Sequence, residues 1–235
     1  MTNNAGTLKP YVYGEIRLLS LLKEAVGKTF SLQYLKAAVG WFALVSILHM
    51  CALLIDGNPD WYQTILFVFE VSAMSAIAVA WYRNLAFDEK IPLLRFKKRE
   101  LIYAVLSFAF IVINGYFIGN IFFAPTGVIQ ELIVSLYIVM ISYAECWISL
   151  WLALKVIDLP TSFARHIIAP FKVKLLIVFC FFLYLPSIIN SMLGAPQYKI
   201  LGQFFSFIIY GIDVSFIFLL IKARVDFESP ARIDD

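Results

Sequence analysis

The sequence predicts an all-α fold, a polytopic membrane bundle of six transmembrane helices. Three observations predict it. Of 235 residues, 62% are hydrophobic and only 15% charged, whereas a soluble domain carries about a quarter charged residues. The apolar residues come in blocks, several exceeding the roughly 18 residues that a bilayer core demands. Eighteen of the nineteen Lys and Arg residues fall on one side of the resulting hairpins.

The elements follow in order. Residues 1–36 are polar or amphipathic, with no early apolar core or small-residue cleavage pattern of a signal peptide. Within them Tyr13–Lys28 is an amphipathic segment. Ile16, Leu18, Leu19, Leu22, Ala25 and Val26 share one broad face, and Glu15, Arg17, Lys23, Glu24 and Lys28 gather mostly opposite. Such a helix can lie in the headgroup layer. Spans are expected at about 37–55, 61–82, 101–123, 128–154, 173–193 and 200–221. Helices are the expected form because lipid offers no partner to an unpaired amide, and a helix satisfies its own.

Basic residues set the orientation. They collect before the first span, after the second, after the fourth and after the sixth, while the three other connections hold only Lys199. Positive charge resists translocation, so the rich side and both chain ends are expected in the cytoplasm. In the connection after the second span, Arg95, Lys97, Lys98 and Arg99 stand at a span start, where anionic headgroups are the expected partner and nucleic acid is not.

The punctuation of the chain repeats. Each outer turn carries Pro and Gly: Gly57-Asn58-Pro59, Pro125-Thr126-Gly127 and Gly194-Ala195-Pro196. Each even-numbered span is followed by a basic residue, an acid and then Pro: Arg83…Glu89…Pro92, Lys155…Asp158…Pro160 and Arg224…Glu228…Pro230. The chain is therefore one membrane domain, divisible into tandem units 10–92, 93–160 and 161–230, each an amphipathic segment plus a hairpin. The segments are Tyr13–Lys28, Leu93–Glu100 and Thr161–Lys172. An even number of spans per unit makes the repeat parallel, which predicts a pseudo-threefold bundle. Coincidence is the competing explanation, since Pro and Gly are common at any span end.

Each even-numbered span also carries one acid in its interior: Glu70, Glu145 and Asp213. Counted from the following basic residue at 1.5 Å per residue, they lie about 14–20 Å deep, near mid-bilayer. An acid there costs on the order of 3 kcal/mol unless protonated or paired. One expectation is a cluster on the bundle axis, with Asn114, Asn190 and His49 as further polar members, that handles protons, cations or a cationic group. The other is that each acid is hydrogen-bonded to a neighbour such as His49, Asn114, Asn120, Asn190, Ser72, Ser142, Tyr143 or Tyr210 and only holds helices together. His49 alone suits packing better than ligation, with no second histidine at helical spacing. Glu131, near the outer end of its span, is expected to be hydrated.

Chemistry-bearing motifs are missing. The chain has no His-Glu-x-x-His, Cys-x-x-Cys, Gly-rich phosphate loop or Gly-x-Ser-x-Gly elbow. Cys51, Cys146 and Cys180 lie in apolar runs and act as small hydrophobes. His166, beside Arg165, suits an interfacial position. A non-catalytic role without metal or cofactor is expected, binding lipid, a membrane protein partner or a second copy of the chain. The alternative is a small-solute or cation pathway past the three acids.

Two joints carry a resemblance. Trp81-Tyr82-Arg83-Asn84-Leu85-Ala86-Phe87-Asp88-Glu89 resembles a Trp-His-Arg-x-x-x-x-Gly-Glu signature. Ser149-Leu150-Trp151-Leu152-Ala153, followed by Asp158-Leu159-Pro160-Thr161-Ser162-Phe163, resembles a Ser-Leu-x-Leu-Pro…Asp-x-Pro-x-Ser-Phe signature. Both belong to a diffuse group of uncharacterised six-span bacterial inner-membrane proteins, similar in plan to the membrane domain of some glycerophosphodiester phosphodiesterases. Tyr82 stands where that group has His, Asp88 where it has Gly, Trp147 where it has Arg and Ala153 where it has Pro. The resemblance implies a bacterial inner membrane and the six-span plan.

Overall fold

The computed structural model describes residues 18–54, 60–91, 94, 96–122, 128–169, 172–192 and 199–224. Among these all regular structure is helical, with eight helices and no strand. They are α1 (Leu18–Thr29), α2 (Leu32–Leu54), α3 (Asp60–Phe87), α4 (Lys98–Phe122), α5 (Val128–Val156), α6 (Phe163–Ile168), α7 (Lys172–Met192) and α8 (Lys199–Lys222). Four helices are long and apolar enough to cross a membrane over the described residues: Leu32–Cys51, Trp61–Phe87, Leu136–Val156 and Ile200–Lys222. Helix α7 adds a shorter apolar stretch, Val173–Phe182. The chain is a helical, membrane-embedded bundle.

Local chemistry fixes the helix ends. Ser31 caps α2, its hydroxyl accepting from the Tyr34 amide at 3.3 Å. Glu100 reaches back to the Lys97 amide at 3.0 Å, one half of a capping box, and so starts α4 at Lys98. Two helices end in left-handed residues that are not glycine, Asp88 (φ 54°) and Asp158 (φ 58°). At Asp88 one bond, from its amide to the Asn84 carbonyl at 2.9 Å, closes the end of α3. At Asp158 the Leu159 amide reaches the Leu154 carbonyl at 2.9 Å and the Asp158 amide reaches the Lys155 carbonyl at 3.4 Å. That pair is the Schellman arrangement. Asp and Asn tolerate this backbone better than other side chains, because a short polar group can bond locally.

Packing sorts the long helices into two triangles. Helices α3, α5 and α8 each pack against the other two. Around them, α2 lies against α3 and α8, α4 against α3 and α5, and α7 against α5 and α8. The inner helices are those of the even-numbered spans. Small residues make their approach possible: Ala73, Ser75, Ala76 and Ala78 on α3 are all buried. On α8 every residue from Asp213 to Ile221 is buried. A helix buried all round needs cover on its outward side, and α1 supplies it, packing chiefly against α8.

Helix α1 thus differs from a helix lying only in the headgroup layer. Its Ala25 and Thr29 are buried, while Leu19 stays 81% exposed. Thr29 meets Ser215 at 3.3 Å, and Ser215 accepts from the Trp81 indole at 2.8 Å, tying α1, α8 and α3 together. At the start of α2, Tyr34 donates to the Phe207 carbonyl at 2.8 Å and lies so close over Gly211 that any side chain there would enter the ring. The other two segments are shorter than expected. Residues 94, 96 and 97 are not helical. The third segment holds only the six-residue α6, which packs on α5.

Candidate functional site: two polar centres and a charged rim

The three intramembrane acids divide between two places. Glu145 on α5 and Asp213 on α8 are close enough for their charges to interact, and Glu70 on α3 is held elsewhere, by His49 and Gln203. Around the pair stand three tyrosines, Tyr82 from α3, Tyr103 from α4 and Tyr210 from α8. The Tyr103 hydroxyl faces those of Tyr82 and Tyr210, and Asp213 is close enough for its charge to act on all three. Glu145 feels the same charge, as does the neighbouring Cys146 thiol. This lower centre is enclosed. Asp213 is 8% exposed, and Glu145 Oε2, Asp213 Oδ1 and the Tyr82 hydroxyl oxygen are buried without a hydrogen-bond partner. Buried polar atoms are otherwise almost always bonded.

Glu70 belongs to an upper centre. His49 Nε2 on α2 meets its Oε1 at 2.5 Å, and Gln203 Nε2 on α8 donates to the same oxygen at 2.7 Å. One carboxyl oxygen so joins three helices. Beside it Tyr62 donates to the Leu48 carbonyl at 2.9 Å. Gln203 precedes Asp213 by ten residues, so the centres lie about 15 Å apart along α8. His49, one of the partners the sequence offered for an intramembrane acid, is here the partner of Glu70.

The third polar feature is a charged rim where the basic joints meet. Arg83 at the end of α3 engages Glu89 through both carboxylate oxygens, the Nε bond measuring 2.8 Å. It also donates to the Val156 carbonyl at 3.2 Å and to Asp158 at 3.3 Å. Arg99 donates to the same Asp158 at 3.2 Å. The left-handed Asp158 therefore draws the starts and ends of three helices together. Lys97 and Lys98 are exposed beside it, next to the exposed side chains of Leu94, Phe96 and Leu101.

The remaining expected residues are placed as follows. Asn114 and Asn190 sit in α4 and α7, with side chains outside the described residues, as are those of Asn120 and Glu131. Arg95 also lies outside the described residues. Ser72 bonds its own helix at Val68, Tyr143 is exposed, and Ser142 is buried and accepts from the Cys180 thiol at 2.9 Å. Among the described residues no group of three His, Cys, Asp or Glu side chains could hold a metal ion.

Sequence reasoning missed Tyr82, Tyr103 and Gln203. Their signal is weak, because a tyrosine near a span end reads as an interfacial anchor. Only the neighbour relation of α3, α4 and α8 turns Tyr82 and Tyr103 inward. The rim left a stronger trace, in the repeated basic-then-acid spacing of the joints. No family model, curated protein or solved structure matches the chain.

Proposed function

We propose that this chain is a six-span, non-catalytic protein of a bacterial inner membrane, with both ends cytoplasmic, that engages anionic lipid at its basic end in a scaffolding or membrane-homeostasis role. Helices α4 and α7 supply the two spans beyond the four that are long and apolar enough over the described residues. Both occupy equivalent outer positions, each packing against two helices of the inner triangle. That equivalence also supports descent of the three hairpins from one repeated unit.

The observation that carries lipid engagement is the strip at the start of α4. Cationic Lys97 and Lys98 lie beside Leu94 and Phe96, which are 53% and 42% exposed, with Leu101 and Val105 continuing exposed down the helix. Charges at the water side of exposed apolar side chains match the headgroup boundary of a bilayer. Arg99 is held by Asp158 and is partly withdrawn from this role. Each lysine near an anionic surface contributes about 1 kcal/mol. Replacing both by Gln is expected to weaken binding to phosphatidylglycerol about 30-fold relative to phosphatidylcholine. Lipid-dependent thermal stabilisation of the purified protein measures this. Equal stabilisation by both lipids in the parent protein contradicts the proposal and turns attention to a protein partner.

A further inference from the structure

The lower centre has a composition that lipid recognition at the rim does not use. Two buried carboxyl groups, on the packed helices α5 and α8, lie within electrostatic reach of each other in a lipid-embedded bundle, each with an oxygen that has no partner. Two negative charges there repel each other, and the low dielectric magnifies the cost. A compensating cation is the usual remedy. The nearest basic side chain along α3 is Arg83, which is committed to Glu89 and Asp158. A metal ion lacks a sufficient ligand set among the described residues. An ammonium-sized ligand lacks room, because Glu145 Oε2 and Asp213 Oδ1 have essentially no accessible surface. A proton needs no room.

We propose that Glu145 and Asp213 form a proton-binding site, a carboxyl pair that takes up and releases one proton through the Tyr103 hydroxyl from the basic end of the bundle. Uptake forms one O–H bond on a carboxylate oxygen, and water at the rim gives up the proton. A phenol hydroxyl both donates and accepts, so it can pass a proton on without a net change in its own state. Tyr103 follows Arg99 by four residues, so its backbone is one helical turn from the charged rim. The other titratable groups facing the pair are Tyr82 on α3, Tyr210 on α8 and Cys146 on α5, with Tyr34 on α2 beyond Tyr210. Cys180 on α7 is engaged with Ser142. Because the acids share their surroundings, the titration belongs to the pair and not to either residue.

The upper centre provides the internal control. Glu70 already receives two donors on one oxygen, from His49 and Gln203, and its role in joining α2, α3 and α8 is structural.

Infrared spectroscopy of the full chain in phosphatidylcholine vesicles tests the proposal, reading the C=O stretch of protonated carboxyls as pH is varied and after transfer to heavy water. The parent is expected to show a pH-dependent carboxyl band that shifts on deuteration. Glu145→Gln and Asp213→Asn should each remove that step, whereas Glu70→Gln should leave it in place. Tyr103→Phe should keep the band but slow its deuteration at least tenfold. A carboxyl region that does not change with pH in the parent, or a step that survives both Glu145→Gln and Asp213→Asn, overturns the site. If those two variants fail to fold, Tyr103→Phe decides, and parent-like deuteration then counts against the proposal. Phosphatidylcholine carries no net charge, so failure of this test is distinct from failure of anionic lipid binding.

Discussion

Asp158 is the residue on which most of the rim turns, and it does two separable things. Its backbone takes the left-handed conformation that closes α5, and its carboxylate receives Arg83 and Arg99. The carboxylate side chain is 58% exposed, so solvent screens these pairs and each contributes at most about 1 kcal/mol. The backbone carries a cost of roughly 1–2 kcal/mol for a side chain without local bonding. Asp158→Ala keeps that cost and loses the ion pairs, and its stability is expected to fall by about 1 kcal/mol. Asp158→Gly loses the same pairs but relieves the backbone, so it should remain within about half a kcal/mol of the parent. Thermal unfolding of the two variants in one detergent separates the contributions. Equal losses in both would show that the ion pairs alone matter. From sequence, the acid-then-Pro spacing marked Asp158 as punctuation, but spacing carries no sign of φ. The left-handed turn became visible only with the Leu159–Leu154 bond.

At the level of elements, the apolar runs were legible because lipid leaves an amide no alternative to an internal partner. The ends were less so. Helix α2 begins at Leu32, five residues before the expected span, because Ser31 caps it outside the apolar run. Helix α3 runs to Phe87, past Tyr82, because its stop is set by Asp88 and not by the end of hydrophobicity. The amphipathic pattern of α1 announced a helix with one apolar face but not what covers that face. An apolar stripe is equally satisfied by lipid tails or by a neighbouring helix, and here α8 takes most of it. The link between Thr29, Ser215 and Trp81 makes that docking specific. Ser215→Ala leaves the buried indole N–H of Trp81 without its partner, a loss of about 1–3 kcal/mol, while the Thr29 hydroxyl keeps only its bond to the Ala25 carbonyl. Amide hydrogen exchange across Leu18–Thr29 is expected to quicken at least tenfold in this variant, with α5 and α7 unchanged. Exchange that rises uniformly over the bundle would mean that α1 is not a separate docking unit.

On the scale of the whole molecule, one arrangement accounts for both polar centres. The helices that carry Glu70, Glu145 and Asp213 form the inner triangle, so each acid faces protein on at least one side. Sequence placed the three at similar depth and left open whether they form one cluster or each bond a separate neighbour. Depth along a helix is readable at 1.5 Å per residue, but the direction around the helix depends on which neighbour fills each side. His49 and Gln203 hold Glu70 at the level of Gln203, about 15 Å from Asp213. The sequence carried the three acids and their helices, but not the parts of Gln203, Tyr82 and Tyr103, nor which acid stands near which. The proposed function stands on six helices crossing one bilayer with the joints of the charged rim on the cytoplasmic side. Cysteine labelling from outside intact cells tests that most directly, in a chain whose Cys51, Cys146 and Cys180 are replaced by Ala. Single cysteines at Lys98, Lys174 and Lys222 should react with a membrane-impermeant maleimide only after the membrane is opened, and cysteines at Asn58, Thr126 and Ala195 should react before. Labelling of Lys98→Cys and Lys222→Cys from opposite sides of the membrane would contradict the account.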